Sequence, residues 1–240
     1  MTSRGRFLVI EGIDGAGSST QSSLLLEFVS SLVPKAVGTK EPTDGPAGAM
    51  LRLALSHRLN GPSSTAEAIR GQEPASSELD SRTMALLFAA DRLDHATGLI
   101  EPMLSAGTSV VCDRYLLSSL AYQGLKVDHR WLLEINRHVP RPDVTIYLSS
   151  TVHHTQHRMK NRPRQELYES RSKQELIDEG YRQAIAANYE LVGPVHVVRA
   201  TKNAQSVAAE IRAIVKPLFE GGELSAEPRG SPSLFEAGGH

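Results

Sequence analysis

The chain has 240 residues, and its 40% hydrophobic content is enough to bury a single sizeable core. Its 26 basic and 27 acidic residues give a net charge of −1, which excludes a general electrostatic attraction to nucleic acid or to an anionic membrane. The single cysteine, Cys112, excludes an internal disulfide, and its position in an apolar run indicates a buried, unreactive thiol. Because the sequence has no signal-peptide pattern and no apolar run long enough to cross a bilayer, we predict a soluble, cytoplasmic protein.

Short apolar runs alternate with helical patterns along the chain. The apolar runs predict strands over 7–11, 36–40, 108–112, 144–148 and 195–198. The periodic segments predict helices over 19–32, 50–55, 81–105, 118–124, 131–138 and 204–219, with Asp80 or Ser81 capping the third. This alternation predicts one α/β domain over residues 1–219, with helices on both faces of a parallel sheet and ligands beyond the strands' C-terminal ends. The Gly-, Ser- and Pro-rich residues 220–240 are predicted to form a disordered tail.

The segment GIDGAGSS, residues 12–19, joins the first strand to the first helix and has the glycine spacing of a phosphate-binding loop. Its glycines allow a tight turn in which successive backbone N–H groups face a phosphate at a helix N-terminus. The hydroxyl of Ser19 is placed to bind Mg²⁺, and Ser18 occupies the position where this motif normally has lysine. A glycine-rich turn without function is the alternative, but the position between a strand and a helix favours a nucleotide site.

The tripeptide Asp113–Tyr115 directly follows the third predicted strand. At a strand end, a carboxylate such as Asp113 can hold a metal directly or through water, and an arginine such as Arg114 can bind two phosphate oxygens at once. A surface ion pair is the alternative interpretation. The position favours function, because the strand ends of such sheets line the ligand crevice.

Phe88 and Arg92 lie four residues apart on the longest predicted helix and therefore share a face. Together they have the chemistry to stack a nucleobase and to bind its phosphate. By spacing alone, a phenylalanine in a helix is more often part of the core, and an arginine is more often solvated. Both interpretations remain open at this point.

Four cations lie within seven residues, at Arg158, Lys160, Arg162 and Arg164, and the segment ELYE follows them at 166–169. A flexible basic segment over about 156–170 can close over bound phosphates and exclude water. A solvated helix face is the alternative, but the neighbouring phosphate loop favours a lid. The nine histidines are scattered without metal-site spacing, so we assign them no role.

Together these motifs resemble the thymidylate kinase family. The resemblance covers residues 7 to about 219 and is carried by FLVIEGIDGAGSSTQ, KEPTDGP, LLFAADRLDH, DRYLLSSLAYQG, RPDVTIYL and ELYE. It implies a P-loop nucleoside monophosphate kinase fold with a five-stranded parallel sheet in the order 2-3-1-4-5. It also implies ATP as phosphate donor, dTMP as acceptor, Mg²⁺ as cofactor, and a homodimer packed through helices.

The resemblance assigns roles to individual residues. The ATP site would comprise Gly12, Ile13, Asp14, Gly15, Ala16, Gly17, Ser18, Ser19, Thr20 and Lys202. The acceptor site would comprise Asp14, Lys40, Pro42, Arg52, Phe88, Arg92, Arg114, Ser118, Ser119, Tyr122, Gln123 and Tyr168. Ser19 and Asp113 would hold Mg²⁺, and the catalytic set would be Asp14, Asp113, Arg114, Arg158, Arg162 and Arg164. In detail, Phe88 would stack on thymine, Arg92 would contact the edge of the base or the phosphate, and Tyr122 would lie under the deoxyribose.

Two positions depart from the family pattern. Lys40 replaces an arginine and gives up bidentate geometry, whereas Ser18 removes the loop cation altogether. Loss of a transition-state donor typically costs a factor of about 10² to 10³ in rate. We therefore hypothesise that Arg158, Arg162 or Arg164 supplies that charge. A kinase for dUMP or dCMP is an alternative, and the missing lysine motivates another, a non-catalytic nucleotide-binding or regulatory protein.

Overall fold

The fold is described from a computed structural model, for residues 4–56, 58–59, 79–150, 171–200 and 203–221. Its sheet has five strands: β1 (Phe7–Gly12), β2 (Ala36–Lys40), β3 (Ser109–Asp113), β4 (Val144–Ser149) and β5 (Val195–Arg199). All neighbouring pairs are parallel, and the order is β2-β3-β1-β4-β5. The predicted fold class and strand order are therefore confirmed, and each predicted strand end agrees with the structure to within one residue.

Helices cover the sheet. They are α1 (Ser18–Leu32), α2 (Pro46–Leu55), α3 (Ser81–His95), α4 (Glu101–Ser105), α5 (Leu116–Tyr122), α6 (His129–Ile135), α7 (Arg171–Ala186) and α8 (Ala204–Val215). A π-helical turn over Ala96–Ile100 joins α3 to α4, and short 3₁₀ turns lie at Gln123–Leu125, Glu190–Val192 and Lys216–Phe219. None of the helices in the described ranges is long and apolar enough to cross a membrane.

The strands form where they do because their apolar runs are buried on both sides. All six residues of β1 are buried, as expected for the central strand of a parallel sheet with helices on both faces. By contrast β2, at the edge, is only half-buried. Cys112 on β3 is buried, as predicted. Each buried run therefore ends where the chain leaves the core, and the polar loops begin at these strand ends.

Several predicted helices have different bounds in the structure, and α2 begins four residues before its predicted start at residue 50. The long helix predicted over 81–105 is one helical run, but it contains the π turn, because Pro102 lacks the N–H that would bond to Gly98. Asp128 caps α6 by accepting hydrogen bonds from the backbone N–H groups of Arg130 and Trp131, so that this helix begins two residues before the predicted start. The last predicted helix changes to a 3₁₀ turn at Lys216. Asp80 caps α3, as predicted.

Candidate active site

The loop between β1 and α1 is shaped by its glycines. Gly15 and Gly17 have φ angles of 81° and 99°, in the left-handed region that favours glycine. Among the described residues no side chain caps the first turn of α1, and Ser18, Ser19 and Thr20 of that turn line an adjacent cavity. Ile13 and Ala16 are buried in the core, which leaves only their backbones to meet a ligand. The cavity encloses about 730 Å³, is partly open to solvent, and is lined by Asp14, Gly15, Gly17, Ser18, Ser19, Thr20 and Arg114.

Two side chains with oxygen atoms that can bind a metal, Ser19 and Asp113, meet beside this loop. The Ser19 hydroxyl donates a hydrogen bond of 2.6 Å to Asp113 Oδ2 across the ends of α1 and β3. Asp113 Oδ1 is buried and has no hydrogen-bond partner among the described residues. Hydroxyl and carboxylate oxygens are the donors that Mg²⁺ prefers, and an orphaned carboxylate oxygen is what a cation would satisfy. These residues therefore fit a magnesium ion that takes its remaining ligands from phosphate and water.

Arg114 lies next to Asp113 in an uncommon backbone conformation. Its φ is 71°, and its N–H donates to Ile10 O at 2.8 Å. The guanidinium donates from Nη2 to Asp14 Oδ1 at 2.7 Å and from Nη1 to the Tyr122 hydroxyl at 3.1 Å. Burial raises the pKa of Tyr122, whose neutral hydroxyl donates in turn to Asp14 Oδ2. The three side chains hold one another at the entrance to a second pocket.

This second pocket, which we call the acceptor pocket because it gathers most of the predicted acceptor residues, encloses about 540 Å³ and is partly open to solvent. The structure brings nine of the twelve predicted acceptor residues to its wall. They are Asp14, Pro42, Phe88, Arg92, Arg114, Ser118, Ser119, Tyr122 and Gln123. Arg114 lines both this pocket and the loop cavity, so that the two spaces meet at its guanidinium.

The polar side chains that line the acceptor pocket differ in their hydrogen bonding. Gln123 Oε1 is buried and has no hydrogen-bond partner among the described residues, so it is available as an acceptor. Arg92 is buried, which excludes the solvated alternative, and it donates to Glu41, Asn136 and Ser119 at 2.8–3.0 Å and to Tyr115 O at 3.2 Å. Phe88 lines the pocket and also packs against a small apolar cluster that includes Leu51 and Met84. Arg92 thus belongs to an internal network at the pocket wall.

Lys40 and Arg52 are not brought to the acceptor pocket. Both are attracted to Asp44: Lys40 Nζ lies 4.0 Å and Arg52 Nη1 3.5 Å from its Oδ1. Arg52 also donates to the carbonyl of Thr43. Lys40 instead lines a neighbouring cavity, which Ser19 and Asp113 also line.

Comparison with known proteins agrees with this geometry. Residues 57–211 match the family model for thymidylate kinase. The chain belongs to the thymidylate kinase family. It is 35% identical over 216 residues to a probable thymidylate kinase from Thermococcus kodakarensis, covering 89% of this chain and 98% of that protein. It is 36% identical over 211 residues to a probable thymidylate kinase from Pyrobaculum aerophilum, covering 88% and 96%. Among solved structures, thymidylate kinase from Candida albicans shares the fold with a TM-score of 0.71 at 22% identity, covering 90% of this chain and 93% of that one.

In this thymidylate kinase family member, several site residues escaped the sequence predictions. Glu11 and Glu41 are buried: Glu11 accepts a hydrogen bond from the backbone N–H of Tyr115, next to Arg114, and Glu41 accepts one from the Arg92 guanidinium. His95, for which no role was predicted, is buried with Nδ1 at 3.1 Å from Glu41 Oε1 and Nε2 at 2.7 Å from Thr39 Oγ1. For Glu11 and Glu41, the only signal in the local sequence was an acidic residue at, or just after, the end of a predicted strand.

Five predicted site residues lie outside the described part of the chain. They are Arg158, Arg162, Arg164, Tyr168 and Lys202, and the predicted lid at 156–170 lies outside it as well. The predicted tail at 220–240 is described only for its first two residues. The structural findings therefore concern the loop, the metal pair and the acceptor pocket.

Proposed function

We propose that the protein transfers the γ-phosphate of ATP to dTMP, giving dTDP and ADP. The observation that carries this proposal is the position of Arg114, which lines both the phosphate-loop cavity and the acceptor pocket. A guanidinium at this junction can bind oxygens of two phosphate groups at once. The names of the relatives, which are 35% or more identical over most of their length, support dTMP as the acceptor.

Phosphoryl transfer of this kind depends on positioning and charge. An oxygen of the acceptor phosphate attacks the γ-phosphorus in line, so the protein has to hold two anions close together and stabilise the charge of the transferring group. The loop N–H groups would hold the ATP phosphates, and Arg114 would hold the acceptor phosphate. Mg²⁺, bound through Ser19 and Asp113, would neutralise negative charge on the phosphates. No covalent intermediate or general base is required.

The acceptor pocket has the parts that a pyrimidine deoxynucleotide needs. Phe88 supplies an aromatic face for the base, and the free Oε1 of Gln123 supplies a hydrogen-bond acceptor near its edge. Ser119 is bonded to Arg92, so these two residues would present one fixed polar surface to the base. Tyr122, held by Arg114 and Asp14, would lie under the sugar and disfavour a 2′-hydroxyl.

Ser18, in our proposal, stands at the loop position that is normally cationic, and the missing charge comes from Arg158, Arg162 or Arg164. Among the described residues that line the loop cavity, Arg114 is the only basic one. Because its guanidinium is bonded to Asp14 and Tyr122, it is poorly placed to follow the donor phosphates as well. A second cation is therefore needed for full activity.

The homodimer is also a proposal, supported by exposed apolar side chains on two helices that pack against each other. Met50 and Leu53 on α2 are exposed, as are Leu86 and Leu93 on α3. Leu86 and Leu93 lie seven residues apart and so share a helix face. A second copy of the chain would cover these residues. Measurement of the solution mass before and after Leu86→Glu tests this assignment.

The deciding experiment is an assay of ATP- and Mg²⁺-dependent dTDP formation by the purified protein, with dUMP and dCMP tested as acceptors in parallel. We expect turnover of dTMP, and loss of most of it in Asp113→Asn. Glu134→Gln, a change of an exposed carboxylate on α6, is the matched control and should retain full activity. Binding of ATP and dTMP without dTDP would instead favour the non-catalytic alternative, and preferred turnover of dUMP or dCMP would favour the other kinases.

A further inference from the structure

Glu11 is a fully buried carboxylate at the end of β1, immediately before the phosphate loop. Its two oxygens accept four hydrogen bonds. Oε1 accepts from the backbone N–H groups of Tyr115 and Ser118 at 2.9 and 3.1 Å. Oε2 accepts from the hydroxyls of Ser118 and Tyr181, the latter at 3.1 Å. So complete a set of donors on one buried side chain indicates a specific role for its position.

Three of these donors belong to the turn that carries Arg114 or to the first turn of α5, which follows it directly. Ile10 and Glu11, adjacent on β1, hold this turn on either side of it: Arg114 N–H donates to Ile10 O, and the next N–H, that of Tyr115, donates to the Glu11 carboxylate. Arg114 itself has a φ of 71°, which only a few per cent of non-glycine residues adopt. The side chain of Glu11 therefore stabilises a backbone conformation that Arg114 does not favour by itself.

The same carboxylate also connects the turn to α7. The Tyr181 hydroxyl lies 3.1 Å from Glu11 Oε2 and 3.3 Å from Gly12 O at the start of the phosphate loop. The Tyr181 ring stacks on Tyr147 of β4 and meets Tyr122 edge to face, with ring centroids 4.7 and 6.1 Å apart. One buried group thus ties together the phosphate loop, the arginine turn and α7.

We propose that Glu11 is a positioning residue for phosphoryl transfer, which holds the turn after β3 so that the Arg114 guanidinium reaches Asp14 and Tyr122 where the two cavities meet. This inference rests on the proposed function, because it assumes that Arg114 binds the acceptor phosphate. Glu11 itself has no place in the acceptor pocket or the loop cavity, so its effect is transmitted through the backbone.

Protonation of Glu11 supplies a way to test this role. Burial raises the pKa of Glu11 to about 7, although the Ser118 hydroxyl, the Arg114 charge and the two backbone N–H groups favour the ionised form. The other titratable groups near it are Tyr115 and Tyr122 on the turn side, Tyr181 on α7 and the Cys112 thiol on β3, and burial raises the pKa of each, so they stay neutral. When Glu11 takes up a proton, the hydrogen bonds from the two backbone N–H groups lose their charge assistance and weaken, and one contact with a hydroxyl is lost or reversed.

The expected pH dependence of activity is opposite to that of stability. Activity should fall as the pH decreases through about 7, because Arg114 is then held less firmly. The folded pKa lies above the ordinary value of 4.5, so the contribution of Glu11 to stability is fully present below about pH 4.5 and is lost as the pH rises through about 7. A side chain with a purely structural role would not link these two opposite trends.

The test compares Glu11→Gln, Glu11→Ala and the unchanged protein at about pH 6 and about pH 8. Glutamine keeps the carbonyl acceptor for the two backbone N–H groups, and its amide can donate to the two hydroxyls. From about pH 8 to about pH 6, we expect kcat/KM for dTMP to fall in both proteins. The fall in the unchanged protein should be up to about tenfold larger than the fall in Glu11→Gln. Ionisation of the substrate phosphate affects both proteins equally and therefore cancels. Glu220→Gln, at an exposed position, should retain the full pH dependence.

Glu11→Ala should lower kcat/KM for dTMP by about tenfold or more at both pH values, with a higher KM for dTMP. If Glu11→Ala does not fold, the pH profile of Glu11→Gln still tests the inference. An unaltered pH profile in Glu11→Gln, with normal turnover, would overturn the inference. Absence of dTDP from the unchanged protein would instead be a failure of the proposed function. In that case the difference in urea unfolding between the unchanged protein and Glu11→Gln at the two pH values still reports whether Glu11 titrates near neutrality.

Discussion

Glu41 and Arg92 form an almost completely buried ion pair, in which Arg92 Nη2 lies 2.9 Å from Glu41 Oε2 and the side chains are 1% and 3% exposed. The second oxygen of Glu41 faces His95 Nδ1 at 3.1 Å. Asp91, next to Arg92 on α3, accepts hydrogen bonds from the N–H and the hydroxyl of Thr43. Three residues of one helix therefore hold the turn over 41–43 that borders the acceptor pocket.

The first prediction concerns this pair. Glu41→Ala removes the anionic partner of a guanidinium that is almost completely buried, and breaking a buried pair in this way typically costs about 3–5 kcal/mol. We expect a loss of that order in the free energy of unfolding, measured by urea denaturation. Because Arg92 lines the acceptor pocket, the folded fraction should also bind dTMP more weakly.

The matched control is the exposed pair of Glu134 and Arg137, whose side chains are 61% and 60% exposed. Surface pairs contribute about 0–1 kcal/mol, so Glu134→Ala should change the stability by no more than that. Equal effects of Glu41→Ala and Glu134→Ala would contradict a structural role for the buried pair.

Local sequence patterns were enough to predict where most strands and helices lie along the chain. The apolar run of β1 could be identified from the sequence because a central parallel strand is buried on both faces. The position of Asp113 and Arg114 at a strand end could be predicted because they directly follow such a run. The strand order 2-3-1-4-5 was predicted from the family resemblance, since sequence periodicity carries no information on which strands are neighbours.

The connections within the site could not be predicted, because they join residues far apart in the chain. Arg92 bonds to Glu41, 51 residues away, and Glu11 bonds to Tyr115, 104 residues away. Helical spacing placed Arg92 beside Phe88 correctly, but it could not distinguish a solvated arginine from a buried one. The hydrogen bond that Ser118 N–H donates to Glu11 also explains why α5 begins earlier than predicted, since a distant carboxylate accepts from an N–H of its first turn.

The second prediction concerns close packing at Gly48. A Cβ atom on Gly48 would lie 2.0 Å from Thr43 O and 2.8 Å from Asp91 Oδ1. The first of these is a backbone atom of the turn that α3 holds, so relief requires movement of either the turn or α2. We expect Gly48→Ala to lower the free energy of unfolding by about 1–3 kcal/mol, the usual cost of overpacking, and to raise the KM for dTMP.

Gly98 provides the control for this substitution. It is an exposed glycine in a helical turn, and a Cβ atom there would meet nothing within 4 Å. Gly98→Ala should stabilise the protein by about 0.4–1 kcal/mol, because alanine restricts the unfolded chain without a native clash. A destabilising effect of Gly98→Ala as large as that of Gly48→Ala would show that the packing at Thr43 is not the cause.

The third prediction concerns the single cysteine. Burial raises the pKa of the Cys112 thiol well above its usual range, and its Sγ lies 3.0 Å from Arg114 O. Because the thiolate is the reactive species, we expect no labelling of the folded protein by a thiol reagent at neutral pH. Labelling of one thiol per chain should follow unfolding in guanidinium. Rapid labelling of the folded protein would mean that β3 opens easily and that the Arg114 turn is less rigid than its contacts indicate.

The fourth prediction tests the source of the charge that we propose for the phosphate loop. Ser18 is the first residue of α1 and lines the loop cavity, so a lysine in its place can reach the donor phosphates. If Arg158, Arg162 and Arg164 supply the missing charge, their joint replacement by alanine should lower kcat by about 10² to 10³. Ser18→Lys should have little effect in the unchanged protein but should restore much of the loss in the triple variant.

Alanine replacement of three exposed cations elsewhere, Arg130, Arg137 and Lys216, is the control for a general loss of positive charge and should leave kcat unchanged. A triple lid variant with the original rate would contradict the assignment. So would a large gain from Ser18→Lys alone, because it would mean that the native loop works without a replacement cation. Rescue confined to the combined variant is expected only if the two groups act on the same charge, since changes at independent sites would simply add.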